Sequence, residues 1–131
     1  MPREKFPSTV GAFVTAHVRS LDELQLLMTI IQSQDRWWDA ETAAREIGMS
    51  VPAARSALDY LAARNLLDMK ISGDLRYQFR PGTPELNDAA SAAAEAYRRW
   101  PMDVARLVAE PARRTLSDFA DAFRIRRDDD R

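Results

Sequence analysis

The sequence predicts a mainly α protein carrying one small β-hairpin. Apolar residues recur at helical spacing in several segments, each opening on a Ser, Asp or Pro suited to a helix start. Between Leu67 and Arg80 the pattern switches to alternation, with Gly73-Asp74 in the middle. The chain has 131 residues, 46% hydrophobic and 30% charged, which is the balance of one folded domain with a core of its own.

Residues 1–19 form an N-terminal segment with Pro2, Pro7 and Gly11. Its middle, Val10 to Val18, reads either as a short helix or as an extended arm. Ser20 and Glu23 make a capping box, in which the Ser hydroxyl accepts from a free helix N–H and the Glu reaches back. Leu21, Leu24, Leu27, Met28 and Ile31 then repeat at helical spacing to about Ser33. Arg36, Trp37 and Trp38 are a short link. Asp39 caps a second helix with a small buried face of Ala43, Ala44 and Ile47, ending at Gly48. Ser50 caps a third, with Pro52 in the first turn, where a missing N–H costs nothing. Ala54, Ala57, Leu58 and Leu61 are its inward stripe, and Asn65 suits the left-handed cap that ends it.

Leu67, Met69 and Ile71 alternate with Asp68, Lys70 and Ser72; Leu75, Tyr77 and Phe79 alternate with Arg76, Gln78 and Arg80. This is a hairpin with one apolar and one polar face. Pro81, Gly82 and Pro84 break the chain. An alanine-rich helix follows from Glu85, with Leu86, Ala89, Ala93, Tyr97 and Trp100 on one face. Pro101 interrupts it, Met102 to Glu110 reads as a short helix, and Pro111 opens another with Leu116, Phe119, Ala120 and Phe123 on one side. Arg124 to Arg131 is a charged tail.

Composition excludes several kinds of chemistry. With no cysteine there are no disulfides, thiolate metal sites or cysteine nucleophiles. The single histidine, His17, supports neither a histidine-rich metal site nor a Ser-His-Asp triad, and reads as a boundary residue. The four glycines are scattered, so no phosphate-cradling loop is present. Asp128 to Asp130 lack a shaped loop and read as solvating charge. No enzyme activity, cofactor or metal is expected. No apolar run approaches a membrane span, and no cleavable signal is apparent, so a cytoplasmic location is expected.

The order helix, helix, tight turn, helix, hairpin resembles that of winged helix-turn-helix domains. Ala43-Ala44-Arg45-Glu46-Ile47-Gly48-Met49-Ser50 resembles their second helix and turn, and Ala54 to Leu67 their third helix running into the first wing strand. The resemblance spans roughly Leu21 to Arg80. The flanking helices are similar to those of the MarR and PadR types of bacterial regulator, whose extra helices form dimers. The division this implies is an arm (1–19), a winged helix-turn-helix domain (20–82), a C-terminal helical extension serving dimerisation (83–124) and a charged tail (125–131).

The resemblance implies a transcriptional regulator that binds double-stranded DNA, with its third helix in the major groove and its wing on backbone or minor groove. The residues suited to contact DNA are Ser50, Arg55, Ser56 and Tyr60 on that helix, and Lys70, Arg76 and Arg80 on the polar face of the hairpin. Asp59, on the same helix, opposes phosphate binding unless it accepts from a cytosine. Charge is nearly balanced. Over residues 36–80, seven cations (Arg36, Arg45, Arg55, Arg64, Lys70, Arg76, Arg80) face six anions (Asp39, Glu41, Glu46, Asp59, Asp68, Asp74), a net of +1. Binding by one copy is then weak, and a homodimer with two reading faces compensates. Tyr97, Trp100, Leu107, Leu116, Phe119 and Phe123 are the residues expected at its interface, because a small winged core has little room to bury them. The alternative is a winged-helix protein-interaction module without DNA binding, engaging a protein partner through its C-terminal helices.

Overall fold

The computed structural model describes residues 6–109. They form a mainly α fold with one two-stranded hairpin: α1 (Ser8–His17), α2 (Leu21–Gln32), α3 (Ala40–Ile47), α4 (Val51–Ala63), β1 (Leu67–Ser72), β2 (Asp74–Phe79) and α5 (Pro84–Arg99). A sixth helical run covers residues 101–109. This order, with helices following the hairpin, is compatible with a winged helix-turn-helix. The expected helix after Pro111, with Leu116, Phe119 and Phe123, and the charged tail lie outside the described residues.

Local chemistry accounts for the boundaries. The Ser20 hydroxyl accepts from the Glu23 N–H at 3.1 Å, the Asp39 carboxylate from the Thr42 N–H at 2.7 Å, and the Ser50 hydroxyl from the Ala53 N–H at 3.2 Å. Gly48 ends α3 with φ +83° and Asn65 follows α4 with φ +68°, both in the left-handed region. The box on α2 closes one residue earlier than expected. The Glu23 carboxylate accepts the Arg19 N–H at 2.9 Å and the Arg19 guanidinium, and this carboxylate is buried. A further cap was hidden among the chain breakers: Thr83 accepts from the Leu86 N–H at 3.1 Å, so Pro84 begins α5 rather than interrupting the chain.

Strands β1 and β2 pair antiparallel, with Leu67 opposite Phe79, Met69 opposite Tyr77 and Ile71 opposite Leu75. The apolar face is therefore one continuous surface. Its root, Leu67, Tyr77 and Phe79, is buried; its tip is open, with Met69 45% and Ile71 84% exposed. The link at Trp38 is more than a connector. Trp38 exchanges two backbone hydrogen bonds with Tyr77, at 2.7 and 2.8 Å, adding a single-residue rung beside β2.

Helix α2 lies at the centre and packs against α3, α5 and β2. It is consequently buried on more than one side. Leu26 and Ile30 are fully buried beside the expected Leu24, Leu27, Met28 and Ile31, whereas Leu21 is exposed. The small residues Ala43, Ala44, Ala54 and Ala57 lie between α3 and α4, where their size permits a close crossing.

The N-terminal segment takes its helical alternative. α1 buries Val10, Phe13 and Val14 and packs on α5. The inner face of α5 is Ala90, Ala93 and Ala96; of the expected line only Ala93 lies on it, and Leu86, Ala89, Tyr97 and Trp100 flank it, half-buried. Phe6 meets Trp100 edge-on at 6.0 Å, Leu107 lies over Gly11, and Val104 and Val108 are buried. Within the described residues, Tyr97, Trp100 and Leu107 thus pack against the chain's own core.

Candidate nucleic-acid interface

Helix α4 buries Ala54, Ala57, Leu58 and Leu61, a stripe at i, i+3, i+4 and i+7. The opposite stripe, Pro52, Ser56, Asp59 and Ala63, is exposed, as are Arg55 and the cap Ser50. No other element of the described residues covers it. The hairpin stands alongside, fixed to α4 by one side-chain bond: the buried Tyr77 hydroxyl donates to the Asp59 carboxylate. Burial first, and then this donation, push the Tyr77 phenol above its usual range. The Arg55 guanidinium acts on the same phenol in the opposite direction, so Arg55, Asp59 and Tyr77 form one electrostatic group.

The expected DNA-contacting residues divide into two sets. Ser50, Arg55 and Ser56 lie on the open side of α4, and Arg55 has no ion-pair partner among the described residues. The others are engaged within the chain. Tyr60 is half-buried, with the Arg19 guanidinium 3.8 Å from its ring centroid. Arg80 is exposed but pairs with Asp68 at 3.4 Å. Lys70 and Arg76 face each other across the strands, and Lys70 sits 4.1 Å from the Trp37 ring. Arg76 is half-buried, its Nε without a partner among the described residues, and its charge helps hold the Asp39 carboxyl below the usual carboxylate range. The chief cause of that depression is the Thr42 N–H.

The polar face of the hairpin is therefore turned in part toward the chain itself. Trp37 carries Lys70, the Trp38 ring carries Arg36 at 3.8 Å, and the Gln78 amide donates to the Asp35 carbonyl at 2.8 Å. Alternation alone did not reveal this, because the covering residues come from the link before α3. The other residue missed in the sequence is Tyr77, which as one more apolar-face position carries no signal of its bond to a helix 18 residues earlier.

Away from this face, a cleft of about 600 Å³ opens between α1, the end of α4 and the start of α5, lined by Phe13, His17, Arg64, Asn65, Leu86 and Ala89 among others. The His17 ring stacks on Phe13 at 4.7 Å and its Nδ1–H donates to the Phe13 carbonyl at 2.9 Å. Among the described residues no group of His, Cys, Asp and Glu is arranged to hold a metal, and no helix is long and apolar enough to cross a membrane.

No protein-family model matches the chain, and no curated protein matches it. Among solved structures it is similar to the crystal structure of RV1404 from Mycobacterium tuberculosis, with 19% identity and a TM-score of 0.50 over 88% of this chain and 82% of that one. At this identity the likeness concerns the fold alone.

Proposed function

We propose that the chain is a winged-helix transcriptional regulator that binds double-stranded DNA as a dimer. One observation carries this reading: the face of α4 with Ser50, Arg55 and Ser56 is left open by its own chain, beside a hairpin locked to it. A helix presented in this way fits the major groove, where Arg55 suits a guanine edge or a phosphate. Affinity from one copy is low, since Lys70, Arg76 and Arg80 already have neighbours within the fold.

The test is a fluorescence titration of a labelled random-sequence duplex at rising salt. Binding that weakens along a straight line in log salt, and that falls on Arg55→Ala, supports the reading. Binding absent at low salt and at tens of micromolar protein rejects it. Sedimentation at micromolar concentration tests the dimer: a mass near 14.9 kDa, that of one chain, rejects it.

A second reading, a winged-fold module that binds a protein partner and no DNA, is favoured by the apolar hairpin tip, where Ile71 and Met69 are exposed. It differs from the expected use of the C-terminal helices in placing the contact on the hairpin. Loss of partner capture on Ile71→Ser, with no duplex binding by the intact chain, is its signature.

A further inference from the structure

Asp59 is the acidic member of the exposed stripe of α4, at the position where a bare carboxylate is least welcome to a polyanion. Its geometry suggests a use. Oδ1 accepts from the Tyr77 hydroxyl, which fixes the side-chain rotamer, and Oδ2 has no hydrogen-bond donor among the described residues. Tyr77 is fully buried and its backbone is bonded on both N–H and C=O to Trp38, so the donor is held on both sides. The Arg55 cation lies one turn earlier on the same helix and acts on the same phenol. A carboxylate held in one orientation on an open helix face, with one oxygen free, has a natural ligand in a major groove. That ligand is the exocyclic amine of cytosine, a pure donor. Four residues along a helix span about 6 Å, close to two base steps, which brings Arg55 over a guanine edge about two pairs away.

From this, and resting on the DNA-binding reading above, we infer that Asp59 is the specificity-determining residue of α4. It accepts from the N4 amine of one cytosine, Tyr77 is the positioning residue that aims it, and Arg55 contacts a guanine about two pairs away. The carboxylate then costs affinity for duplex in general and returns it as discrimination at one base pair.

The experiment is selection of bound sequences from a randomised duplex pool by the full chain and three variants, with helical content and melting of each recorded by circular dichroism. The unaltered chain enriches cytosine about tenfold over other bases at one position. Asp59→Ala flattens that position and leaves the others. Asp59→Asn, which still accepts from Tyr77, shifts it toward adenine. Tyr77→Phe weakens the cytosine preference without abolishing binding; should this variant fail to fold, the two Asp59 variants decide. If both Asp59 variants keep the original base preference and merely bind every duplex more tightly, Asp59 is a repelling charge and the inference is overturned. An unaltered chain that binds duplex but enriches no base overturns it too, leaving the DNA-binding reading intact. An unaltered chain that binds no duplex removes both.

Discussion

Replacing Gly82 with Ala tests how the hairpin is joined to the helical extension. The segment after β2 crosses directly over Asn65: the Gly82 N–H donates to the Asn65 carbonyl at 3.0 Å, and the Arg80 N–H to the Leu66 carbonyl at 3.0 Å. A Cβ on residue 82 would lie 2.0 Å from Asn65 Nδ2 and 2.5 Å from its Cγ and Oδ1, well inside the 3.4 Å at which ordinary contact begins. Backbone relief is blocked, because Asn65 is pinned by that bond to Gly82 and by its own N–H bond to the Ala62 carbonyl. The exposed Asn65 amide must therefore leave its rotamer and turn toward solvent, at a cost of about 0.5–1.5 kcal/mol. For a domain of this size that lowers Tm by about 3–5 °C for each kcal/mol. The backbone of Gly82 is not in the left-handed region, so the penalty is steric only. Gly48→Ala is the contrasting control: open space surrounds it, and its φ of +83° alone sets a cost of about 1–2 kcal/mol. Asn65→Gly removes the obstructing amide and accepts φ +68° freely. Urea denaturation of the four chains in the Gly82/Asn65 cycle reads the coupling. Gly82→Ala should be costly with Asn65 present and close to neutral with Gly at 65. Equal costs in both backgrounds would refute the reasoning.

Three further outcomes are expected. Asp39, held below the usual carboxylate range chiefly by the Thr42 N–H, adds stability that is present above its unfolded value near ~3.9 and is lost as pH falls through the lower folded value. Urea midpoints of the unaltered chain and Asp39→Asn should therefore converge from about pH 5 downward, and a gap independent of pH would contradict this. Ser50→Ala removes the bond to the Ala53 N–H and should cost about 1 kcal/mol in chemical denaturation, with the loss confined to stability if the α4 face is otherwise intact. Ala54→Leu forces a larger side chain between α3 and α4 and should destabilise by about 1–3 kcal/mol, with near-ultraviolet dichroism changing before helical content does.

The parts of the fold legible in the sequence are those fixed by neighbours along the chain. Ser20, Asp39 and Ser50 announce helix starts because the capping bond spans three residues; Gly48 and Asn65 announce ends because few residues tolerate a positive φ. Alternation from Leu67 to Phe79 gives the hairpin and its register face. What is set by distant partners stayed hidden. The single rung at Trp38 has no period to detect. Leu26 and Ile30 look like the outer side of an amphipathic helix until α2 is seen to have neighbours on several sides. The same division runs through the candidate site. The stripe Pro52, Ser56, Asp59 and Ala63 follows from helical spacing, while the bond of Asp59 to Tyr77 and the capture of Lys70 by Trp37 need three-dimensional proximity.

The rung between Trp38 and Tyr77 makes the hairpin a lever with a welded heel. Ile71 lies opposite Leu75, two residues from Tyr77, so the arm from this rung to Ile71 is about 7 Å long. A load on Ile71 at the free end cannot be relieved by swivelling at the root, where two backbone bonds and the Asp59 tie resist it. It is returned as torque on residue 38, immediately before the cap that starts α3. A pull on the tip of the hairpin would thus bear on the start of α3, and through the packing of α3 against α4 on α4 as well.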